Sequence, residues 1–115
     1  MSTYQLGFIG TGNMGGALAQ AAAKSGASML LSNRTADKAV RLAAELGCAA
    51  GTNLEVAEGC KYIFLGVKPQ MVVGVVEGLK ADILASEGIF VSMLAGVSLE
   101  KLALLLGADK KIIRI

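Results

Sequence analysis

Gly10, Gly12 and Gly15 stand in the spacing Gly-x-Gly-x-x-Gly, a pattern whose chemistry is the holding of a pyrophosphate by backbone. The first glycine permits a tight turn, and the second lets the phosphates approach the main chain. The third lets a helix pack closely on a strand. Asn13 and Met14 fill the intervening positions of this loop. A helix beginning there adds unpaired N–H groups and the positive end of its dipole. A second group, Asn33-Arg34-Thr35, offers a guanidinium and neutral donors suited to a phosphate monoester. A third, Lys68-Pro69, places a cation beside a residue that stiffens the backbone.

The glycine spacing has this meaning only between a strand and a helix, and the flanking residues supply both. Residues 6–9 form a short apolar run, and residues 16–26 are rich in helix formers and close on Gly26. Residues 28–32 read as a second strand. Residues 36–46 read as a helix, with Ala39, Val40, Ala43 and Leu46 at helical spacing and Gly47 as its C-cap. Residues 48–50 suit a short third strand, and Asn53 caps a brief helix to Glu58. The continuous apolar run 62–67 suits a strand covered on both faces. Pro69 opens a helix over 70–84, residues 89–93 form the next strand, and Ser98 caps a helix over 99–106. Residues 111–115 form a last strand. Strands alternating with helices predict right-handed crossovers. The fold class is therefore α/β, a doubly wound parallel sheet of the Rossmann dinucleotide-binding type, as a single domain over 1–115.

In such a fold the end of the second strand reads the adenosine ribose. NAD-binding units place Asp or Glu there, whereas this chain has Ser32, Asn33, Arg34 and Thr35. A carboxylate would repel a 2′-phosphate, and Arg34 pairs with one. A charge-assisted hydrogen bond contributes about 1.5–3 kcal/mol, roughly a tenfold to hundredfold preference. Asn53, after the third strand, is within reach of the same pocket. The residues favour NADP (as NADPH) over NAD. The plainer reading makes this segment a solvated loop with Thr35 as helix N-cap, and Thr35 is able to do both. Lys68 is equally readable as a cation near cofactor or substrate and as a surface lysine beside a helix-starting proline. Ala95 and Gly96 follow the fifth strand, where small residues let a nicotinamide lie against backbone; an ordinary turn needs them as well.

Bulk composition narrows the rest. With 54% hydrophobic and 17% charged residues the chain is not disordered, and with no histidine it has no imidazole chemistry. A net charge of +2 does not suggest a nucleic-acid partner. Cys48 and Cys60 lack a second pair of metal ligands and read as small buried hydrophobes in a reducing compartment. No metal is expected. The carboxylates Glu45, Glu55, Glu58, Glu77 and Asp82 form no acid–base couple, so no catalytic residue is nominated. Neither a signal peptide nor an apolar run of membrane-spanning length is present, and a cytoplasmic, soluble protein with no membrane partner is expected.

Four segments together carry a resemblance: residues 8–15, 32–35, 65–69 and 92–97. They resemble the N-terminal cofactor domain of pyrroline-5-carboxylate reductase over essentially the whole chain. Val67-Lys68-Pro69 together with Ala95-Gly96-Val97 is more specific to that family than the glycines are. The resemblance implies NADPH-dependent reduction of 1-pyrroline-5-carboxylate, a cyclic imino acid, to L-proline. It further implies that Gly10, Gly12, Asn13, Met14 and Gly15 hold the pyrophosphate. Asn33, Arg34, Thr35 and Asn53 surround the 2′-phosphate, and Val67, Lys68, Pro69, Ala95 and Gly96 line the nicotinamide side. Members of that family continue into a helical C-terminal domain that forms the dimer and supplies most substrate contacts. The chain stops at Ile115, where that part would begin. The expectation is that a full-length protein is a homo-oligomer and that these 115 residues alone bind cofactor but reduce substrate poorly or not at all.

Two other readings share parts of this pattern. The cofactor domain of a β-hydroxyacid dehydrogenase or related NADP oxidoreductase shares the glycine motif and Asn33-Arg34-Thr35, but Val67-Lys68-Pro69 argues against it. A non-catalytic nucleotide-sensing module, such as the regulatory domain of a potassium transport system, generally carries an acidic residue after the second strand. Asn33-Arg34 is not that pattern.

Overall fold

In a computed structural model, the apolar runs assemble side by side into one parallel sheet. The structure describes residues 4–10, 13–33, 36–66, 71–78, 83, 86, 88–92, 100, 101, 104 and 111–114. In chain order the elements are β1 (Tyr4–Ile9), α1 (Asn13–Ala23), β2 (Met29–Ser32), α2 (Ala36–Leu46) and β3 (Ala49–Ala50). They continue with α3 (Asn53–Gly59), β4 (Cys60–Leu65), α4 (Val72–Gly78), β5 (Ile89–Ser92) and β6 (Ile112–Arg114). Glu100, Lys101 and Leu104 are also helical.

The strand order is β3-β2-β1-β4-β5-β6, with every neighbouring pair parallel. Parallel neighbours need crossovers, and the helices that make them cover both faces. One face packs Phe8, Met29 and Leu31 against Ala19 of α1 and Ala39 and Ala43 of α2. The other packs Ile9, Leu30, Ile63 and Leu65 against Val56 of α3 and Val76 of α4. Phe8 and Ile9 thus serve opposite cores, as the two-residue period of a strand requires. Phe8 and Phe64 are register partners, and their rings stack with centroids 4.7 Å apart. This is the doubly wound Rossmann-type fold expected from the sequence.

Gly7 explains how α3 comes so near the sheet. A Cβ built there would overlap Cys60 Sγ and lie 2.7 Å from Val56 Cγ1. Only a residue without a side chain lets α3 and the start of β4 close over β1.

Several expectations shift in detail. The helix α1 starts at Asn13, inside the glycine motif, not at residue 16. Asn53 is not the cap of α3. Thr52 is, because its hydroxyl accepts from the Glu55 N–H at 3.2 Å while Glu55 Oε1 accepts from the Thr52 N–H at 3.0 Å. This reciprocal box is open to a Thr-x-x-Glu sequence and closed to one starting at Asn53. The fourth strand runs Cys60–Leu65, beginning directly where α3 ends. It is not covered evenly on both faces, since Lys61 is exposed, with its ammonium 5.6 Å from the centre of the Tyr62 ring. Val40 is 56% exposed, because the buried stripe of α2 runs through Ala39 and Ala43, a turn apart, with Val40 rotated about 100° away. The helix α4 is described over Val72–Gly78, within the longer span expected.

Candidate dinucleotide-binding site

The strands end in register. Ser32 of β2, Ile9 of β1, Leu65 of β4 and Ser92 of β5 lie abreast across the sheet. Backbone bonding continues one residue further. Gly10 N–H donates to Ser32 O at 2.9 Å, Gly66 N–H to Ile9 O at 2.7 Å, and Gly51 N–H to Leu31 O at 2.8 Å. The turns after β1, β3 and β4 therefore leave from one edge, all on glycine. The order of strands reverses between β1 and β4, so the chain leaves β1 and β4 toward opposite sides. A crevice opens at such a switch point beyond the carboxyl ends.

Gly10 sits at the mouth of that crevice with φ 92°, a backbone conformation that side chains disfavour. Three residues later α1 begins at Asn13 and carries Met14 and Gly15 in its first turn. Strand β1, the Gly10 conformation and the start of α1 at Asn13 thus follow the order of the sequence motif. This geometry suits a phosphate-bearing ligand without needing any charged side chain.

At the next strand end, Asn33 follows Ser32 and is half-buried. Asn53, the first residue of α3, arrives at the same place. The Ser32 hydroxyl, on a residue only 1% exposed, donates to Asn53 Oδ1 at 2.6 Å. It also lies 3.2 Å from Phe8 O. The capping box holds this end of α3, which leaves the Asn53 side chain to reach β2 and not its own helix. The structure so brings both Asn53 and Gly10 to Ser32, the residue before Asn33.

Gly12, Arg34, Thr35, Val67, Lys68, Pro69, Ala95 and Gly96 lie outside the described residues, as does Ser98. Ser32 and Thr52 are two site residues to which the sequence reading gave no role. The Thr52-x-x-Glu55 spacing was a readable signal for the second; nothing local marks the first.

The two cysteines stand away from this edge. Cys60 opens β4 and Cys48 precedes β3, both at the amino-terminal edge of the sheet. Burial pushes the Cys60 thiol up to about 11. Desolvation also raises Cys48, against an opposing backbone hydrogen bond. Burial thus favours the neutral thiol at both positions, more completely at Cys60 than at half-buried Cys48. Glu45, Glu55, Glu58 and Glu77 are exposed. Among the described residues no group of three or more His, Cys, Asp or Glu side chains is placed to hold a metal. Nor is any helix among them long and apolar enough to cross a membrane.

Comparison with known proteins agrees with this geometry. Residues 5–96 match the family described as NADP oxidoreductase, coenzyme F420-dependent. The chain is 36% identical over 115 residues to a pyrroline-5-carboxylate reductase of Escherichia coli (strain K12), covering 96% of this chain and 42% of that protein. A pyrroline-5-carboxylate reductase structure from Coxiella burnetii matches with a TM-score of 0.86 at 25% identity, over 98% of this chain and 43% of that one. The Plasmodium falciparum pyrroline carboxylate reductase with NADP bound matches in fold, with a TM-score of 0.78 at 24% identity over 99% of this chain and 42% of that one. The chain spans about two fifths of the length of the curated relatives it matches. Glycine turn, strand order and matched residues agree, and the chain belongs to the family of NADP oxidoreductases described as coenzyme F420-dependent.

Proposed function

We propose that this chain is the NADP(H)-binding domain of a pyrroline-5-carboxylate reductase, which reduces 1-pyrroline-5-carboxylate to L-proline. The observation that carries the reading is the Gly10 conformation between β1 and α1 at the switch point, with Asn53 bonded to Ser32 at the end of β2, beside Asn33. When bound, NADPH supplies the hydride. The residues of this chain bind and orient it.

In this reading the turn 10–15 receives the pyrophosphate on backbone N–H groups. Asn33, Arg34, Thr35 and Asn53 enclose the adenosine 2′-phosphate, Arg34 as its counter-charge. Val67, Lys68, Pro69, Ala95 and Gly96 border the nicotinamide. Further chain, of the kind that makes up the other three fifths of the relatives, supplies the substrate contacts and the dimer. The absence of a carboxylate among residues 32–35 supports NADP over NAD.

Titration of the chain with NADPH and NADH separately, read by cofactor fluorescence or heat, tests the proposal. NADPH is expected to bind about tenfold to a hundredfold more tightly, the ratio one charge-assisted bond provides. Equal or NADH-favoured binding would overturn the assignment.

A further inference from the structure

We propose that Ser32 is a positioning residue that sets cofactor preference through Asn53, an inference that rests on the NADP(H) reading above. An amide can turn either its oxygen or its nitrogen toward a neighbour, and the two choices make opposite sites. An oxygen facing the ribose accepts from hydroxyls and repels a phosphate. A nitrogen facing it donates to phosphate oxygens.

The geometry selects the second. The Ser32 oxygen and Asn53 Oδ1 are 2.6 Å apart, a separation typical of O–H···O and short for N–H···O. The Ser32 hydroxyl therefore donates, and the Asn53 oxygen is the acceptor. The single hydroxyl hydrogen serves this contact in preference to Phe8 O, which lies at 3.2 Å. With its oxygen turned to Ser32, Asn53 keeps its two Nδ2 hydrogens to donate to a ligand.

The anchor itself is rigid. Ser32 is the last residue of β2, 1% exposed, and its carbonyl accepts from the Gly10 N–H at 2.9 Å. The same residue thus links the phosphate-binding turn to the end that reads the ribose. Asn53 is fixed from its own side by the Thr52–Glu55 box. A donor aimed by a buried hydroxyl on β2 and carried on a capped helix end loses little entropy on binding, which is how positioned groups gain specificity.

The test is a double-mutant cycle of Ser32→Ala and Asn53→Ala, read as Kd for NADPH and for NADH. Ser32→Ala is expected to lower NADPH affinity about tenfold while changing NADH affinity less than about threefold. Asn53→Ala should do the same. In the double variant the losses should fail to add, because a hydroxyl with no amide to orient has nothing left to contribute. Additive losses, or equal losses for both cofactors, would show a merely structural serine and overturn the inference. Asn53→Asp provides a second readout independent of cavity effects. Its carboxylate still accepts from Ser32 but repels a 2′-phosphate, so the NADPH-to-NADH affinity ratio should fall by about tenfold or more. An unchanged ratio would also refute the placement. Should the unsubstituted chain itself show no NADPH preference, the NADP(H) assignment fails first; a preference that survives Ser32→Ala refutes only the role of Ser32.

Discussion

Replacing Gly7 with alanine exchanges one hydrogen for a methyl group, yet the sheet has no room for it. The new carbon would stand 2.7 Å from Val56 Cγ1 and 2.8 Å from Cys60 Cβ, against an optimum of about 3.5–4.0 Å for carbon pairs. Neither neighbour is able to swing into solvent, since Val56 is 0% and Cys60 2% exposed. Relief must come from moving both α3 and the start of β4 away from β1 by about 1 Å, and overpacking of this kind costs about 1–3 kcal/mol. Alanine recovers about 0.4–1 kcal/mol by stiffening the unfolded chain, so a net loss of about 1–2 kcal/mol remains. Unfolding entropy near 2.1 cal/mol/K per residue turns that into a fall in Tm of roughly 4–8 °C for a chain this long. Gly74→Ala is the control. It lies in α4 with nothing within 4 Å of an added Cβ, and helix propensity predicts a gain of about 1 kcal/mol, a rise near 4 °C. Thermal unfolding by circular dichroism should therefore move the two variants in opposite directions. A Gly7→Ala protein melting at or above the unsubstituted chain would refute the close approach of α3 to β1. Because α3 carries Asn53, the same variant should also lose part of its NADPH preference.

Four further outcomes are expected. Arg34→Ala should weaken NADPH binding by tenfold or more, about the contribution of one charge-assisted bond, and NADH binding far less; calorimetric titration showing equal losses would remove Arg34 from the phosphate pocket. Cys60 should resist alkylation at pH 8 while Cys48, half-buried, reacts faster, as mass spectrometry of the labelled native protein would show. The folded Cys60 thiol titrates near 11 instead of 9.0, so the unfolded chain loses this proton first. Its stabilising contribution is complete below about pH 9 and is lost as the pH rises toward 11; denaturant unfolding of Cys60→Ala should show a shallower loss across that window. Thr52→Ala breaks the capping box and should cost about 1 kcal/mol, seen as a Tm lower by roughly 4 °C, and an unchanged Tm would deny the box any role in holding α3.

Local pattern was enough to determine much of this protein. The helix α2 occupies 36–46 as its apolar spacing and Gly47 predict, and Gly47 takes the positive φ of 71° that its capping role needs. The turn after β1 was also legible, because a glycine triad between an apolar run and a helix-rich run has few other uses, and Gly10 does adopt φ 92°. Those features depend on residues within a few positions of one another, so their energetics are written in the neighbouring letters.

Features that depend on distant residues were decided by the tertiary structure alone. Periodicity does not say that β1 lies between β2 and β4, yet that order creates the switch point at which Gly10 stands. Gly7 reads as an ordinary strand residue until Val56 and Cys60, some fifty positions away, are seen to occupy the space of its missing side chain. Ser32 and Asn53 are twenty-one residues apart and meet at 2.6 Å. Neither residue has a local pattern that requires the other. The glycine turn could be read from neighbouring residues, whereas the meeting of Asn53 with Ser32 depends on where α3 packs against the sheet.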